Sequence, residues 1–266
     1  MRAGWIRAGL WAALLPACFA AAADERPRRG SPGCDRVSSS DQFVSVESGG
    51  ELRLATGGVV RLLDVRLAGG AAGERARAWL ATLAREPVAV RAVGRPDRWD
   101  RVAADVALAG QGGLDLAELL VGEGFAFVDP GSRDALCRND LLAVEAGARR
   151  RRVGLWSDAT WPVAADDAER LGRAAGQFVI VEGRILSVGE RRDRTYLDFG
   201  RDWSRDFTVV VPRRSWSAFA ARGLSGAELR GRRVRVRGVL EVRRGPTMEI
   251  TSPDVVEVLD GETRRR

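Results

Sequence analysis

The stretch RLLDVRLAGG, residues 61–70, sets two arginines and an aspartate among aliphatic residues, just before a glycine-rich loop. Arg61 and Arg66 could bind a phosphate through guanidinium hydrogen bonds, and Asp64 offers carboxylate oxygens to a hard cation. The loop that follows contains no acid, histidine or serine before Glu74. The stretch therefore has groups that suit phosphate and metal binding, but it offers no evident general base.

The composition limits the chemistry that the chain can use. It has 266 residues, no histidine and 43 basic residues, all of which are arginine. Schemes built on a histidine base or a histidine metal ligand are therefore excluded. A net charge of +7 is typical of proteins that bind nucleic acid or anionic lipid. Because arginine replaces lysine throughout, we attribute this charge to a genome-wide bias and give it little weight.

The first 23 residues have the parts of a secretory signal. MRAGWIR supplies positive charge, an apolar stretch too short to span a bilayer follows, and small residues precede Asp24. Cys18, which follows LPA, makes lipoprotein processing the alternative. We therefore expect an exported protein, periplasmic or secreted, without a transmembrane span in the mature chain. Residues 24–41 are expected to form a polar lead-in.

Two cysteines remain once the signal is removed, Cys34 and Cys137. An even number of cysteines in an oxidising compartment predicts a disulfide between them. This bond would tie the N-terminal segment to the first domain. Two unpaired thiols are the alternative.

Hydrophobic periodicity divides the rest of the chain into two domains. The first combines strands with helices, which we predict over residues 73–86, 114–124 and 133–152. The second is almost wholly β, with a helix between its third and fourth strands, which is the strand order of an OB-fold barrel. The predicted segments are a first domain at 42–157, a linker at 158–175, a second domain at 176–260 and a basic tail at 261–266.

The order of elements in the first domain resembles the thermonuclease (staphylococcal-nuclease-like) family. The segments that carry the resemblance are VRLLDV, DRWDRVAADVAL, LAELLVGEGFAFV and LLAVEAGARRRRVGLW. The resemblance implies a five-stranded OB-like barrel with helices packed on it. The predicted fold class is thus α+β, mainly β, with two small OB-like barrels.

Members of this family that cut nucleic acid hold a calcium ion with carboxylates, use a glutamate as base and grip the phosphate with two arginines. Carried over to this chain, the two arginines fall on Arg61 and Arg101. The metal aspartates fall on Gly50 and Arg66, and the base falls on Gly69. The resemblance therefore implies a nuclease fold whose catalytic positions are degenerate, with no cofactor expected.

Calcium would bind only if Glu51 or Asp64 rebuilt the site, which would make the protein an active but divergent nuclease or phosphodiesterase. The simpler interpretation of Asp64 is a strand residue that forms an ion pair across the sheet. Without a rebuilt site, the domain would bind nucleic acid, another polyanion or an envelope protein partner. A purely structural or partner-binding module is the third possibility.

The second domain offers another candidate nucleic-acid surface. The alternation in RRVRVRG places Val234 and Val236 inside the barrel and Arg233, Arg235 and Arg237 outside it. Tyr196 could stack on a base beside these arginines. The competing interpretation is that the arginines form an ordinary solvated face.

Overall fold

The structure is a computed structural model that describes residues 34–110, 112–159, 161–202, 204–242 and 244–260. The predicted signal segment, with Cys18, and the basic tail at 261–266 lie outside the described residues. Among the described residues, no helix is long and apolar enough to cross a membrane.

The first domain is a closed barrel with helices packed on it. The barrel strands follow the order β1-β2-β3-β6-β5, and β3 and β6 are parallel. This barrel confirms the predicted fold class. The elements of the domain are β1 (Arg36–Val46), β2 (Leu52–Leu54), β3 (Val59–Leu62), β4 (Val65–Leu67), α1 (Gly70–Ala81), β5 (Pro87–Val93), β6 (Arg101–Leu108), α2 (Leu116–Gly122), β7 (Ala126–Val128) and α3 (Asp140–Arg151).

Local sequence explains why these elements form. In β5, Val88 and Val90 alternate with exposed residues and point into the barrel core. In α1, Ala76 and Leu80 lie one turn apart and pack against the same core. The side chain of Asp115, the residue before α2, accepts the backbone N–H of Glu118 in the first turn and so fixes where that helix begins. Each element therefore presents one apolar side to a single core.

The second domain is a sheet with the order β10-β11-β12-β14-β13-β9-β8, and β15 pairs with β13. The predicted strands appear in the predicted order, with α5 between the third and fourth. The sheet has eight strands rather than five, because the predicted first strand is split at Ile185 and Leu186 and two short strands are added. The elements are β8 (Val163–Ala164), α4 (Ala168–Arg173), β9 (Phe178–Arg184), β10 (Ser187–Glu190), β11 (Arg194–Asp198), β12 (Thr208–Pro212), α5 (Arg213–Ala221), α6 (Gly226–Leu229), β13 (Arg233–Val242), β14 (Pro246–Glu249) and β15 (Val256–Val258).

Two predicted boundaries differ from the structure. Strand β1 begins at Arg36, inside the expected lead-in, because residues 36–42 pair with β5. The expected linker at 158–175 contains β8 and α4, and its Val163 and Leu171 are buried in the core of the second domain. This segment is therefore part of the second domain, since it contributes apolar side chains to that core.

Helix α3 is shorter than the predicted 133–152, because the residues before it are held in an irregular loop. Asp64 forms an ion pair with Arg133 and accepts the backbone N–H groups of Cys137 and Arg138 at 2.6 and 2.7 Å. In a helix that began at residue 133, the backbone N–H groups of Cys137 and Arg138 would donate to carbonyl groups four residues earlier. Here they donate to Asp64 instead. The helix therefore begins only at Asp140.

The predicted disulfide between Cys34 and Cys137 is present, with a Cα–Cα distance of 5.6 Å. It joins the residue just before β1 to the loop that precedes α3. The bond closes a sequence separation of 103 residues. The start of the barrel is thus fixed covalently to the other end of the first domain.

The two domains share an apolar contact rich in aromatic residues. The Phe127 ring lies 5.2 Å from Phe178 and 5.4 Å from Trp161, measured between ring centroids. Ile180 of the second domain is fully buried in the same cluster, as is Ala148 of α3. This contact brings residues of the second domain to the edge of the stretch at 61–70.

Candidate functional site

An open cleft of about 750 Å³ lies where the two domains meet, and the five positions carried over from the thermonuclease pattern, Gly50, Arg61, Arg66, Gly69 and Arg101, line it. Its first-domain wall comes from the turn before β2, from β3 and β4, and from the loop that begins α1. Its second-domain wall comes from Trp161, Gln177 and Phe178. The polar first-domain residues of the lining are Glu51, Arg61, Arg66, Arg101 and Asp129.

Arg101 is held in place by two acids. Its Nε and Nη2 donate to the same oxygen of Asp97 at 2.9 and 2.8 Å, and its Nη1 donates to Glu51 at 2.7 Å. The hydrogen bond from Arg101 lowers the pKa of Asp97 to about 2. The Trp99 ring lies beneath the same guanidinium, 4.5 Å from its carbon. Two of the five N–H groups of Arg101 remain for a ligand.

Arg61 is the least constrained cation of the cleft. Its only ion-pair contact among the described residues is a long one, 3.9 Å from Nη1 to Asp97. The side chain is 44% exposed and lines the cleft. Since Asp97 is already bonded twice by Arg101, the guanidinium of Arg61 keeps its donors available for an anion.

Arg66 bridges the two domains along one wall of the cleft. Its Nε donates to Asp129 at 2.7 Å, and its guanidinium carbon lies 5.1 Å from the centre of the Phe178 ring. The ion pair and the ring fix one face of the guanidinium, as expected for a cation–π contact. The position that would carry a metal aspartate in the thermonuclease pattern is thus occupied by a positioned cation.

The glycines at the other degenerate positions differ from each other. Gly50 has φ of +90°, and a Cβ there would lie 2.6 Å from Cδ1 of Leu67. An aspartate at this position would be strained both by its backbone conformation and by that contact. Gly69 precedes α1, and a Cβ there would meet nothing within 4 Å. The space for a base is present at Gly69, but the carboxylate is not.

The residues of the cleft do not fit a calcium ion. Its lining contains two carboxylates, those of Glu51 and Asp129, and each is engaged by an arginine. Within the described residues no group of three or more acids, cysteines or histidines is placed to hold a metal. Calcium prefers six to eight oxygen ligands, and the guanidinium of Arg66 adds positive charge to the same lining. Arg61, Arg66 and Arg101 against Glu51 and Asp129 leave an excess of one positive charge in this lining.

Asp64 is not placed where the sequence suggests. It lies in the turn between β3 and β4 with φ of +58° rather than on a strand, and its side chain is buried. Burial raises the pKa of its carboxyl group, although Arg133 acts in the opposite direction. Its oxygens are used by the loop before α3 and do not line the cleft. Asp64 therefore cannot rebuild a metal site there.

Of the three arginines proposed as an exposed face of the second domain, Arg233 is exposed, Arg235 is largely buried and Arg237 is buried, and all three form ion pairs. Arg233 binds Glu182 at 2.6 Å, and Arg235 binds both Glu182 and Glu257 at 2.8 and 3.0 Å. Arg237 is only 1% exposed. Its role as a nucleic-acid contact is wrong, because the outer side of β13 is covered by the first domain at this point.

Tyr196 is half-buried on β11 and lines a separate surface pocket of about 610 Å³. That pocket is lined by residues of β10 to β14, whereas Arg233, Arg235 and Arg237 are absent from its lining. The structure therefore does not bring Tyr196 together with the three arginines into one surface.

Several residues of the cleft escaped the sequence analysis. Asp97 lies four residues before Arg101, a spacing that could have indicated a bonded pair across the turn. Asp129 follows the short strand β7, and no local pattern links it to Arg66, 63 residues away. Trp161 and Phe178 reach the cleft only because the second domain packs on the first. Such contacts depend on tertiary structure, so the hydrophobic periodicity of the sequence does not predict them.

Comparison with known proteins agrees with the geometry. Residues 64–158 match the family described as Staphylococcal nuclease homologue. No curated protein matches the chain. The matched segment runs from the turn after β3 through α3, and it contains Arg66, Gly69 and Arg101. The resemblance deduced from the sequence is thereby confirmed for the first domain.

Proposed function

Because the first domain is a thermonuclease-like domain, we propose that its cleft binds the phosphates of a nucleic-acid strand, or of a similar polyanion, without cleaving it. The observation that carries the proposal is Arg61, a cation on the cleft wall with a single long contact to an acid. The cleft is thus a retained phosphate site in a fold that lacks the other groups for hydrolysis.

The arginines of the cleft support binding. Arg61 can donate to a phosphate without breaking a short ion pair, and Arg101 keeps two free N–H groups. Arginine suits this task because its planar donors match the spacing of phosphate oxygens. Phe178 and Trp161 add aromatic surface on the opposite wall, which suits a flexible single strand better than a rigid duplex.

The same lining argues against cleavage. Hydrolysis needs an activated water, and activation by calcium needs a cluster of carboxylates that the cleft lacks. A general base must lie within hydrogen-bond reach of that water. Gly69 provides no carboxylate, and both Glu51 and Asp129 are tied to arginines. The arginines can stabilise a charged phosphate, but they do not generate a nucleophile.

We also propose that the protein is exported and works in the cell envelope or outside the cell. The disulfide between Cys34 and Cys137 supports this, because such bonds persist in oxidising compartments. The signal-like pattern of the first 23 residues points the same way.

Binding is tested by fluorescence anisotropy with a labelled single-stranded oligothymidylate at increasing NaCl concentration. We expect weak binding whose affinity falls with salt. If two phosphate contacts are lost with Arg61→Ala and Arg101→Ala together, the log–log slope should decrease by about 1.4, at about 0.7 per phosphate on a single strand. A matched double variant, Arg173→Ala with Arg214→Ala, removes two exposed arginines of the second domain and should leave the slope unchanged.

Two results would contradict the proposal. Absence of binding at low salt would assign the protein to the structural or protein-binding class. An equal loss of slope in both double variants would show that binding follows overall charge rather than the cleft.

A further inference from the structure

A second groove, here called the junction groove, lies between the end of α3 and the second domain, and its volume is about 370 Å³. Trp161 lines both this groove and the cleft, so the two are neighbours separated by one side chain. The polar lining is dominated by guanidinium groups. The lining residues that matter here are Arg149, Arg150, Arg152, Trp156, Arg235 and Glu257.

Positive charge exceeds negative charge in this lining. Glu257, its only carboxylate, is shared by Arg149 at 3.2 Å and Arg235 at 3.0 Å. Arg150 and Arg152 are exposed and make no ion pair within the described part of the chain. Two cations therefore face the groove without a neutralising partner.

Acids beneath the groove pair with two of its arginines: Glu145 binds Arg149 and Glu182 binds Arg235, each at 2.8 Å. The excess positive charge of the lining is therefore that of Arg150 and Arg152. Burial, together with the charges of Arg235 and Arg237, lowers the pKa of Arg149 even though Glu257 and Glu145 act to raise it. An anion in the groove would relieve the repulsion among these guanidiniums.

Buried donors without partners point to the same conclusion. Trp156 is 4% exposed, and its indole Nε1 is buried with no hydrogen-bond partner among the described residues. The Nε of Arg235 is buried and unpartnered as well. Leaving such donors unsatisfied is costly, and a ligand oxygen is one way to satisfy them. Both residues line the junction groove, where an anion would also meet Arg150 and Arg152.

We infer that the junction groove is a phosphate-binding site, distinct from the cleft, formed by Arg150, Arg152 and the indole N–H of Trp156. Phosphate fits because it offers several acceptor oxygens to the donors of this lining, which come from the first domain and, with Arg235, from the second. The site does not depend on the proposed function of the cleft. Its phosphate comes either from free phosphate or from a strand that passes over Trp161.

The test uses ¹H–¹⁵N NMR of the indole N–H groups in the purified, disulfide-bonded protein. The variant Trp156→Phe identifies the Trp156 peak by its disappearance. Titration with inorganic phosphate should shift that peak in a saturable manner, while NaCl at equal ionic strength should not. In Arg150→Ala with Arg152→Ala, phosphate affinity should fall at least about tenfold, the loss of one charge-assisted hydrogen bond.

The control is the cleft variant Arg61→Ala with Arg101→Ala, in which the phosphate-induced shift of the Trp156 peak should persist. A peak that does not move with phosphate, or moves equally with NaCl, overturns the inference. Unchanged affinity after loss of Arg150 and Arg152 does so as well. These outcomes are independent of DNA binding in the cleft, so failure of one proposal is distinguishable from failure of the other.

A second titration with oligothymidylate identifies the source of the phosphate. If the strand shifts the Trp156 peak and the Arg150→Ala, Arg152→Ala variant lowers the salt slope for DNA, the groove extends the nucleic-acid path. If inorganic phosphate alone shifts the peak, the groove binds a free phosphate group. Both results support the site.

Discussion

Replacing Arg237 by methionine removes the cation at the centre of the contact between the two domains. Arg237 is buried and forms ion pairs with Glu145, at 2.8 Å, and with Glu257. It also donates to the backbone carbonyl of Val128 at 3.2 Å. Methionine fills similar volume but carries no charge, so Glu145 and Glu257 lose their most buried partner and keep only the less buried Arg149, with Arg235 for Glu257.

The expected cost follows from the burial of these groups. Removing one member of a buried ion pair costs about 3–5 kcal/mol, because the partner remains charged and desolvated. Arg233 on the same strand is 52% exposed, and within the described part of the chain its guanidinium pairs with Glu182 alone. An exposed pair contributes about 0–1 kcal/mol, so Arg233→Met should cost no more than that. The two variants make the same chemical change, once at an exposed arginine and once at a buried one.

The effect of Arg237→Met on the free energy of unfolding should also depend on pH. Burial acts to raise the pKa of Glu257, but the charges of Arg237, Arg149 and Arg235 outweigh it and lower that pKa. A lowered pKa contributes stability that is present above the ordinary glutamate value and is lost as the pH falls through the folded-state value. In Arg237→Met this contribution shrinks. The difference in stability between the two proteins should therefore narrow on acidification below about pH 4.3.

The measurement is urea unfolding followed by circular dichroism and tryptophan fluorescence, at pH 7 and at lower pH. Adding Glu145→Gln to Arg237→Met removes one of the two carboxylates that lost Arg237 as a partner. The double variant should therefore recover part of the lost free energy of unfolding. The reasoning fails if Arg237→Met costs no more than Arg233→Met at pH 7. It also fails if the difference between wild type and Arg237→Met widens on acidification.

Two further predictions concern the disulfide and catalysis. Replacing Cys34 and Cys137 by serine should destabilise the protein by up to about 4.7 kcal/mol, the chain-entropy value for a loop of about a hundred residues, and equal urea midpoints for the two proteins would contradict this. The purified protein should not cleave DNA or RNA above background with or without calcium. Calcium-dependent cleavage that Glu51→Ala with Asp129→Ala abolishes would show that the cleft holds a working metal site.

Sequence alone predicted the order of strands and the polarity of most faces, because periodicity reports burial directly. In β13, Val234 and Val236 are buried in the core of the second domain, as their alternation requires. Arg237 likewise points out of that core, yet it is buried, because α3 and β7 of the first domain cover that side. Alternation tells which side of a strand faces its own barrel, but it does not tell what lies on the other side.

The sequence pattern likewise does not show what packs around the residues of the cleft. The chemistry of the cleft depends on this packing as much as on residue identity. The backbone disfavours an acid at Gly50, since φ of +90° strains any side chain there and a Cβ would lie 2.6 Å from Cδ1 of Leu67, which would have to move. Arg66 is held between Asp129 and the Phe178 ring, so the second domain stabilises a cation at a position where the thermonuclease pattern places an aspartate. An aspartate at position 50 would therefore be strained by the turn. An aspartate at position 66 would lose the contacts with Asp129 and Phe178 that favour a positive charge there. The second domain thus helps to hold a cation in the lining of the cleft.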